Sequence, residues 1–459
     1  MYKIDFNEPI HIHFIGIGGI SMSGLAEILA KEGFTITGSD NQNSPLIEKM
    51  INNGIHINIG QHASNITPDI DLVVYTAAVH KDNEEYMTAI SMNKPMLSRA
   101  ELLGQLMQNY DIPIAVAGTH GKTTTTSMMS HILLEGELDP TISVGGILKA
   151  IDGNIRVGGN KYFLTEACEY TNSFLHFFPK ISIILNIDED HLDFFKDLDD
   201  IYDSFYKFAE LTSDDGALIM NGNIDRISNF KNIVGDRLIT YGTDPSFDYY
   251  AKNIKYNSFG CASFDIYMKE NMLGSIELSV TGAHNVLNAL AASAAALKLN
   301  IPFDDIRTGL LSFNGTNRRF ENKGVKNGII IIDDYAHHPT EIRATLKAAA
   351  NYPHREIWCI FQPHTYTRTK ALFHEFADAL ALADHVILTD IYAARETDTL
   401  GVSSKMLADE IVAKGANAYY FSTFNEIEDF CIKNCKKNDL LITMGAGNVV
   451  SIGESILKR

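Results

Sequence analysis

The chain has 459 residues, 45 % of them hydrophobic, with 38 Lys and Arg against 57 Asp and Glu, a formal net charge of −19. At roughly 100–200 residues per domain this length suggests about three domains, and the apolar content excludes a disordered chain. So acidic a surface repels nucleic acid and anionic lipid, yet leaves room for a local phosphate site built from backbone N–H groups.

The five cysteines, Cys168, Cys261, Cys359, Cys431 and Cys435, are odd in number and scattered, with no C-x-x-C, which argues against a disulfide framework or a zinc site. Cys431 and Cys435 are expected as small buried hydrophobes on one helix face. Met1 to Pro9 lacks the basic and apolar regions of a signal peptide, and no apolar run reaches the ~18–20 residues of a membrane span. A cytoplasmic protein without membrane insertion is expected.

The first elements read βαβ. His11 to Ile15 is a strand, Gly16-Ile17-Gly18-Gly19 a glycine loop, Leu25 to Lys31 a helix closed by Gly33, and Phe34 to Thr37 a strand ending in Gly38-Ser39-Asp40. Leu72 to Tyr75 and Pro95 to Leu97 read as further strands, and Arg99 to Gln108 as a helix. Asn109 to Pro113 reads as a domain boundary. A strand at Ile114 to Ala117 then runs into a glycine turn and a helix from Lys122 to Glu135. Strands are expected at Tyr162 to Leu164 and Ile181 to Leu185, and an Ala-rich amphipathic helix at Asn288 to Leu299. From Ser312 onward, Ile329 to Asp333, Glu356 to Phe361, His385 to Thr389, Ala418 to Phe421 and Leu440 to Thr443 read as strands separated by helices. Repeated βα units predict mostly parallel sheets flanked by helices. The expected division is 1–109, Rossmann-like; 110–312, a P-loop domain; and 313–459, Rossmann-like again.

Gly118-Thr119-His120-Gly121-Lys122-Thr123-Thr124-Thr125 lies between an apolar strand and a helix, the setting a phosphate-binding loop needs. Its glycines let backbone N–H groups face phosphate oxygens, and the helix N-terminus adds positive potential. Lys122 would reach the β/γ-phosphates of ATP, and the Thr123 hydroxyl would bind Mg²⁺. The spacing departs from G-x-x-x-x-G-K-[ST], which would put Gly at Val116.

That loop, with His13-Phe14-Ile15-Gly16-Ile17-Gly18-Gly19, Asp333-Asp334-Tyr335-Ala336-His337-His338-Pro339-Thr340-Glu341 and Phe361-Gln362-Pro363-His364 followed by Tyr366 and Arg368, resembles the Mur ligases over essentially the whole chain. Within the family the resemblance is to the branch that adds L-alanine to UDP-N-acetylmuramic acid in peptidoglycan synthesis, which implies a part in cell-wall growth, shape and division. The resemblance implies transfer of the γ-phosphoryl of ATP to the lactyl carboxylate, attack of the alanine amine on the acyl phosphate, and release of ADP and phosphate. ATP and Mg²⁺ are the implied cofactors. UDP-N-acetylmuramic acid and L-alanine are the implied partners, and a monomer or homodimer is expected.

The resemblance also implies roles. Glu166 and His191 would bind magnesium with Thr123, and Lys122, Glu166, His191 and Arg319 would carry the catalysis. Gly118, Thr119, His120, Gly121, Thr124, Asn285, Asn288, Arg319 and Asp334 would hold the nucleotide. His337 and Arg368 would lie near the amino acid, with Thr365 where some members have a second Arg. Cys168 stands where many relatives carry Asp, and Lys207 has no assigned place. Gly16, Gly18, Gly19, Ser39, Asp40 and Thr76, with Ala77 and Ala78, would line the UDP diphosphate site.

Other readings exist for several of these. Asp188, Glu189 and Asp193 alone read as a solvated face, Asn285 as a helix cap, and the adjacent His337 and His338 as a weak metal signal. Gly16, Gly18 and Asp40 alone would fit an NAD-dependent oxidoreductase, but Ser21 falls where the last glycine of that fingerprint belongs, and a dehydrogenase has no need of a P-loop. A muropeptide-recycling ligase that adds a peptide, a folate polyglutamylation enzyme and a non-catalytic nucleotide sensor are the remaining alternatives.

Overall fold

The computed structural model describes residues 2–76, 78–192, 194–394, 396–398 and 400–459. Ala77 and Asp193, both named above, lie outside them.

Three sheets follow one another along the chain. The first is five parallel strands in the spatial order His56–Ile59, Thr35–Asp40, His11–Ile15, Leu72–Tyr75, Met96–Ser98. The helix after the glycine loop is Ile20–Lys31, five residues longer at its start than the apolar pattern suggested, because it begins directly on Gly19.

The central sheet has ten strands. Its parallel heart runs Leu238–Gly242, Ala217–Asn221, Ile181–Ile184, Ile112–Ala117, Tyr162–Ala167, Thr141–Leu148. Tyr249–Tyr256 continues it in parallel, antiparallel Cys261–Met268 and Asn271–Thr281 extend that edge, and Gly153–Arg156 closes the other. The strand Ile112–Ala117 absorbs Pro113, which the sequence put in a boundary. Pro is tolerated near a strand's start, where a missing N–H costs least.

The third sheet has the order Glu321–Lys326, Ile329–Asp334, Leu440–Met444, Ile357–Phe361, His385–Leu388, Asn417–Tyr420, parallel except at its first strand. Its two faces carry separate apolar clusters. By contrast, one face of the central sheet and the core of the first sheet form a single cluster, running from Leu25 and Leu103 to Phe163, Phe174 and Phe205.

Two glycines permit that fusion. A Cβ on Gly24 would stand 2.0 Å from Ile155 Cγ1, and one on Gly104 would stand 1.8 Å from the His176 carbonyl oxygen. The five cysteines are free. Among the described residues no helix is long and apolar enough to cross a membrane.

Candidate active site

Parallel strands end together, and their C-terminal loops converge on one edge, where open α/β sheets place ligands. The phosphate loop follows Ile112–Ala117 and opens the helix Lys122–Glu135. Gly121 sits at φ +86, where a Cβ would also meet the Asn288 amide oxygen at 2.8 Å, so the turn and the close packing both require glycine. His120 is clamped by Asn186, whose Oδ1 accepts from the His120 N–H at 2.8 Å and whose Nδ2 donates to the His120 carbonyl at 2.9 Å.

The Lys122 ammonium donates to the Gly118 and Thr119 carbonyls at 2.5 and 3.0 Å and to Glu169 Oε2 at 2.9 Å. Burial opposes its charge, yet Glu169 holds its pKa above the ordinary lysine value. Thr123 Oγ1 donates to Glu166 Oε2 at 3.1 Å, and Glu166 Oε1 accepts from Gly145 N–H at 2.5 Å. Burial raises the Glu166 carboxyl against those bonds and against Lys122. His191, at φ +54, stacks on Tyr170 with centroids 4.4 Å apart and turns Nε2 toward Glu169 Oε1 at 4.0 Å. Thr123 and Glu166 are therefore in contact, while His191 reaches them through Glu169 and Lys122. A hydroxyl, a buried carboxylate in need of positive charge, and an imidazole form a donor set that fits a small hard cation.

A cavity of about 300 Å³ adjoins this loop, lined among others by Thr124, His284, Asn285, Asn288, Phe313, Arg319 and Asp334. Asn285 is no helix cap. It lies inside the helix His284–Lys298, donates to Thr281 O at 2.8 Å and accepts from Asn288 at 3.0 Å. Asp334 takes the N–H groups of Phe320 and Ala336, both at 2.8 Å, and burial, with Arg319 opposing, pushes its carboxyl up to about 6. Of the arginine pair, Arg318 is committed to Asp333 and Gly445 O, leaving Arg319 to face the cavity.

A second cavity, about 360 Å³, is lined by Tyr170, Asp190, His191, His364, Thr365, Arg368, Leu372 and Glu396 among others. Arg368 lines it, with its guanidinium already engaged: Nε and Nη2 donate to Asp190 Oδ1 at 3.0 and 2.8 Å, and Nη1 contacts His364 Nδ1 at 3.1 Å. Burial drives the pKa of His337 and of His364 down to about 4, so both rings are neutral. Thr365 caps the short helix Tyr366–Ala371 from a strained φ of +65.

In the first domain the glycine loop satisfies itself. Gly16 and Ile17 N–H donate to Ser39 O at 2.8 and 3.0 Å, Gly19 N–H donates to Gly16 O at 3.3 Å, and Gly18 N–H donates to Asp40 Oδ2 at 2.9 Å. The Ser39 hydroxyl points inward to Glu85 at 2.5 Å, so it does not face a ligand. Thr76 packs against Gly16.

Several side chains escaped sequence reading. Glu169, Asp190 and Asn186 were not singled out, and Glu341 was visible only as a member of a motif. Arg99 was a helix start, yet its Nη1 reaches Ser21 Oγ at 3.0 Å in the cleft between the first and central sheets, where burial lowers its pKa. The solvated-face reading fails for Asp188, which accepts from Thr340 Oγ1 at 2.7 Å, and holds for exposed Glu189. The Cys168 thiol is pushed up to about 11 by burial and stays neutral, so it does not replace the charge of an aspartate. Lys207 is exposed, away from both cavities.

Residues 11–111, 116–296 and 318–447 match three family descriptions in turn: Mur ligase family, catalytic domain; Mur ligase middle domain; and Mur ligase, glutamate ligase domain. The UDP-N-acetylmuramate--L-alanine ligase of Agathobacter rectalis is 60 % identical over 459 residues, all of both chains. Among solved structures, the UDP-N-acetylmuramate-alanine ligase of Thermotoga maritima is 30 % identical, covering 98 % of this chain and 99 % of that one, with a TM-score of 0.82. A murein peptide ligase of Psychrobacter arcticus is 26 % identical, covering 98 % of both chains, with a TM-score of 0.71.

Proposed function

The chain belongs to the Mur ligase family, and from that premise we propose that it joins L-alanine to the lactyl carboxylate of UDP-N-acetylmuramic acid at the expense of ATP, a step of peptidoglycan synthesis. The observation that carries the chemistry is the phosphate-loop lysine, set among buried carboxylates beside two cavities of about 300 and 360 Å³. The choice of substrates is supported by the relative that shares 60 % of its residues from end to end.

A carboxylate resists amines until one oxygen becomes a leaving group. Its oxygen attacks the γ-phosphorus, ADP departs, and an acyl phosphate forms. The alanine amine then adds to the acyl carbon, loses a proton, and expels phosphate. Most of the catalysis is charge neutralisation. Lys122, released from Glu169, meets the β/γ-phosphates, and Arg319 meets phosphate across the cleft. His284, Asn285 and Asn288 line the nucleoside cavity. Thr123, Glu166 and His191 would hold Mg²⁺, which supplies Lewis-acid neutralisation of phosphate charge when bound.

Arg368, once released from Asp190, and neutral His337 address the amino acid, and the UDP diphosphate lies along the glycine loop with Thr76, its charge met by Arg99 because the loop's own N–H groups are spent on Ser39, Gly16 and Asp40. The same reading divides the chain at 109/110 and 312/313, consistent with a change of sheet between Ser98 and Ile112 and again between Thr281 and Glu321.

The test is phosphate release from ATP with Mg²⁺ and UDP-N-acetylmuramic acid, with L-alanine present or omitted. Alanine-dependent release that falls at least ~10³-fold in Lys122→Ala is expected, the scale of losing a principal electrostatic contact. Release with a tripeptide but not with alanine would move the assignment to the recycling reaction.

A further inference from the structure

Glu341 is the third residue of the helix Pro339–Ala350, and its carboxylate gathers basic groups from two domains. Oε1 lies 3.3 Å from His120 Nδ1 and 4.0 Å from Arg319 Nη1. Oε2 accepts the His337 N–H at 3.0 Å and lies 3.5 Å from His337 Nδ1. The phosphate loop thus reaches the third domain through the ring of His120, whose own backbone is held at both ends by Asn186. On its other side, His120 Nε2 stands 3.4 Å from Asp188 Oδ2, and the ring packs on His338 with centroids 4.7 Å apart.

His120, Asp188 and His338 offer ligand atoms within 4.8 Å of one another, a spacing a metal ion would accept. The ring nitrogens of His338 are already committed. His338 Nε2 faces the Glu189 carbonyl at 2.9 Å and so carries the proton, and His338 Nδ1 accepts from Thr340 N–H at 3.3 Å. His120 Nδ1 faces Glu341. The cluster joins the central and third domains, with His120 held between the carboxylates of Asp188 and Glu341, of which Glu341 is the third domain's.

We propose that Glu341 is a positioning residue for nucleotide binding: by anchoring His120 and Arg319 from the third domain, it makes closure of that domain and occupation of the phosphate loop one coupled event. A ligand that favours the closed arrangement then binds more tightly because the anchor has already been set. The inference rests on the ATP-site reading above and goes beyond it, since neither the phosphate-loop sequence nor the Mg²⁺ donors require an acid at 341.

The experiment is calorimetric titration of MgADP, with no acceptor or amino acid, into wild type, Glu341→Gln, His120→Asn and the double variant. Glutamine keeps the size and an acceptor for the His337 N–H. A thermal melt of each variant confirms that it is folded, and Glu341→Asp provides a second charge-retaining test. Each single neutral variant is expected to weaken MgADP about five- to tenfold, and the double variant no further, because contacting partners are not additive.

Affinity of wild type should also fall as pH rises through about 9, to which, against burial, Asp188 and Glu341 push the pKa of the His120 ring. That ring is faced by Asp188, Glu341 and His338, with Asp190 acting on its charge, Arg319 on the far side of Glu341, and Lys122 on its own loop. In Glu341→Gln the fall should come at lower pH, a shift a merely structural glutamate would not cause. Undiminished affinity in Glu341→Gln, or losses that multiply in the double variant, would overturn the proposal. Wild type that binds no MgADP would instead overturn the ATP-site reading beneath it.

Discussion

The first domain meets the central one through apolar side chains and bare glycine faces, whereas the third meets it through charges. At the first junction Gly24 and Gly104 bring helices against Ile155 and the His176 carbonyl, and one apolar cluster runs through both sheets. At the second, Arg368 pairs with Asp190, His120 with Glu341, Thr340 with Asp188 and His338 with the Glu189 carbonyl. A close-packed apolar contact has no low-energy alternative. Ion pairs and hydrogen bonds, unlike packed apolar side chains, can be exchanged for water or ligand groups as a junction opens. On the site assignment proposed above, the difference makes the sugar-nucleotide side a fixed wall and the nucleotide and amino-acid side a moving one, which would open for ATP and then exclude water from an acyl phosphate.

The largest expected effect tests the fixed wall. Gly104→Ala would place a methyl 1.8 Å from a backbone carbonyl that no rotamer change can relieve. Overpacking of this kind costs about 1–3 kcal/mol and more where backbone must move. We expect a loss of about 3 kcal/mol in urea unfolding, with the first and central domains affected together. A loss under about 0.5 kcal/mol would mean that this junction also yields.

Next comes the buried pair of the moving wall. Asp190 and Arg368 are each about one-tenth exposed, and burial of Asp190 is outweighed by Arg368, which holds its carboxyl well below the usual range. Asp190→Asn removes charge-assisted hydrogen bonds worth about 1.5–3 kcal/mol. If the wall moves, that energy comes off closure and not off unfolding. Small-angle scattering should then show a larger radius of gyration while the urea midpoint stays within error. A lowered midpoint with no expansion would merge the two junctions into one type.

Much of this contrast was hidden in the sequence, for a physical reason. The strands, the glycine loops and the phosphate loop are local patterns, and Lys122, Thr123 and Glu166 stand together largely because neighbouring parallel strands end at one edge. The partners that define the moving wall are not local: Thr340 finds Asp188 152 residues away, Arg368 finds Asp190 178 away, and His120 finds Glu341 221 away. No periodicity encodes such pairings, so Asp188 read as solvated and Glu341 as part of a motif without a task. The antiparallel extension of the central sheet went unread too, although Cys261–Met268 alternates half-buried and buried positions along most of its length.

A pH titration sharpens the comparison at intermediate size. Burial opposes the charge of His120, but Asp188 and Glu341 prevail and push its pKa up to about 9. A raised histidine pKa contributes stability that is complete below about 6.5 and is lost as pH rises through about 9. Only the Glu341 share belongs to the junction, so closure should weaken by about 1 kcal/mol between pH 7 and 10. At the apolar junction Gly24 and Gly104 meet an isoleucine side chain and a backbone carbonyl, and urea unfolding of that unit should not follow the same curve.

The smallest effect belongs to Thr340→Val, and its sign is the most informative. Valine keeps the shape and removes the hydroxyl that donates to Asp188 Oδ2 at 2.7 Å in a solvent-exposed setting. One exposed hydrogen bond to a carboxylate is worth no more than about 1 kcal/mol, so the Michaelis constant for ATP should rise less than about fivefold. The maximal rate should be unchanged or slightly higher, since a looser wall also releases product sooner. In 0.5 M NaCl wild type should approach the variant, because screening at a Debye length of about 4–5 Å weakens the contacts around Asp188. A Thr340→Val enzyme that keeps its full difference from wild type in salt would show that the contact acts by shape, and the moving wall would then be held by packing in the manner of the fixed one.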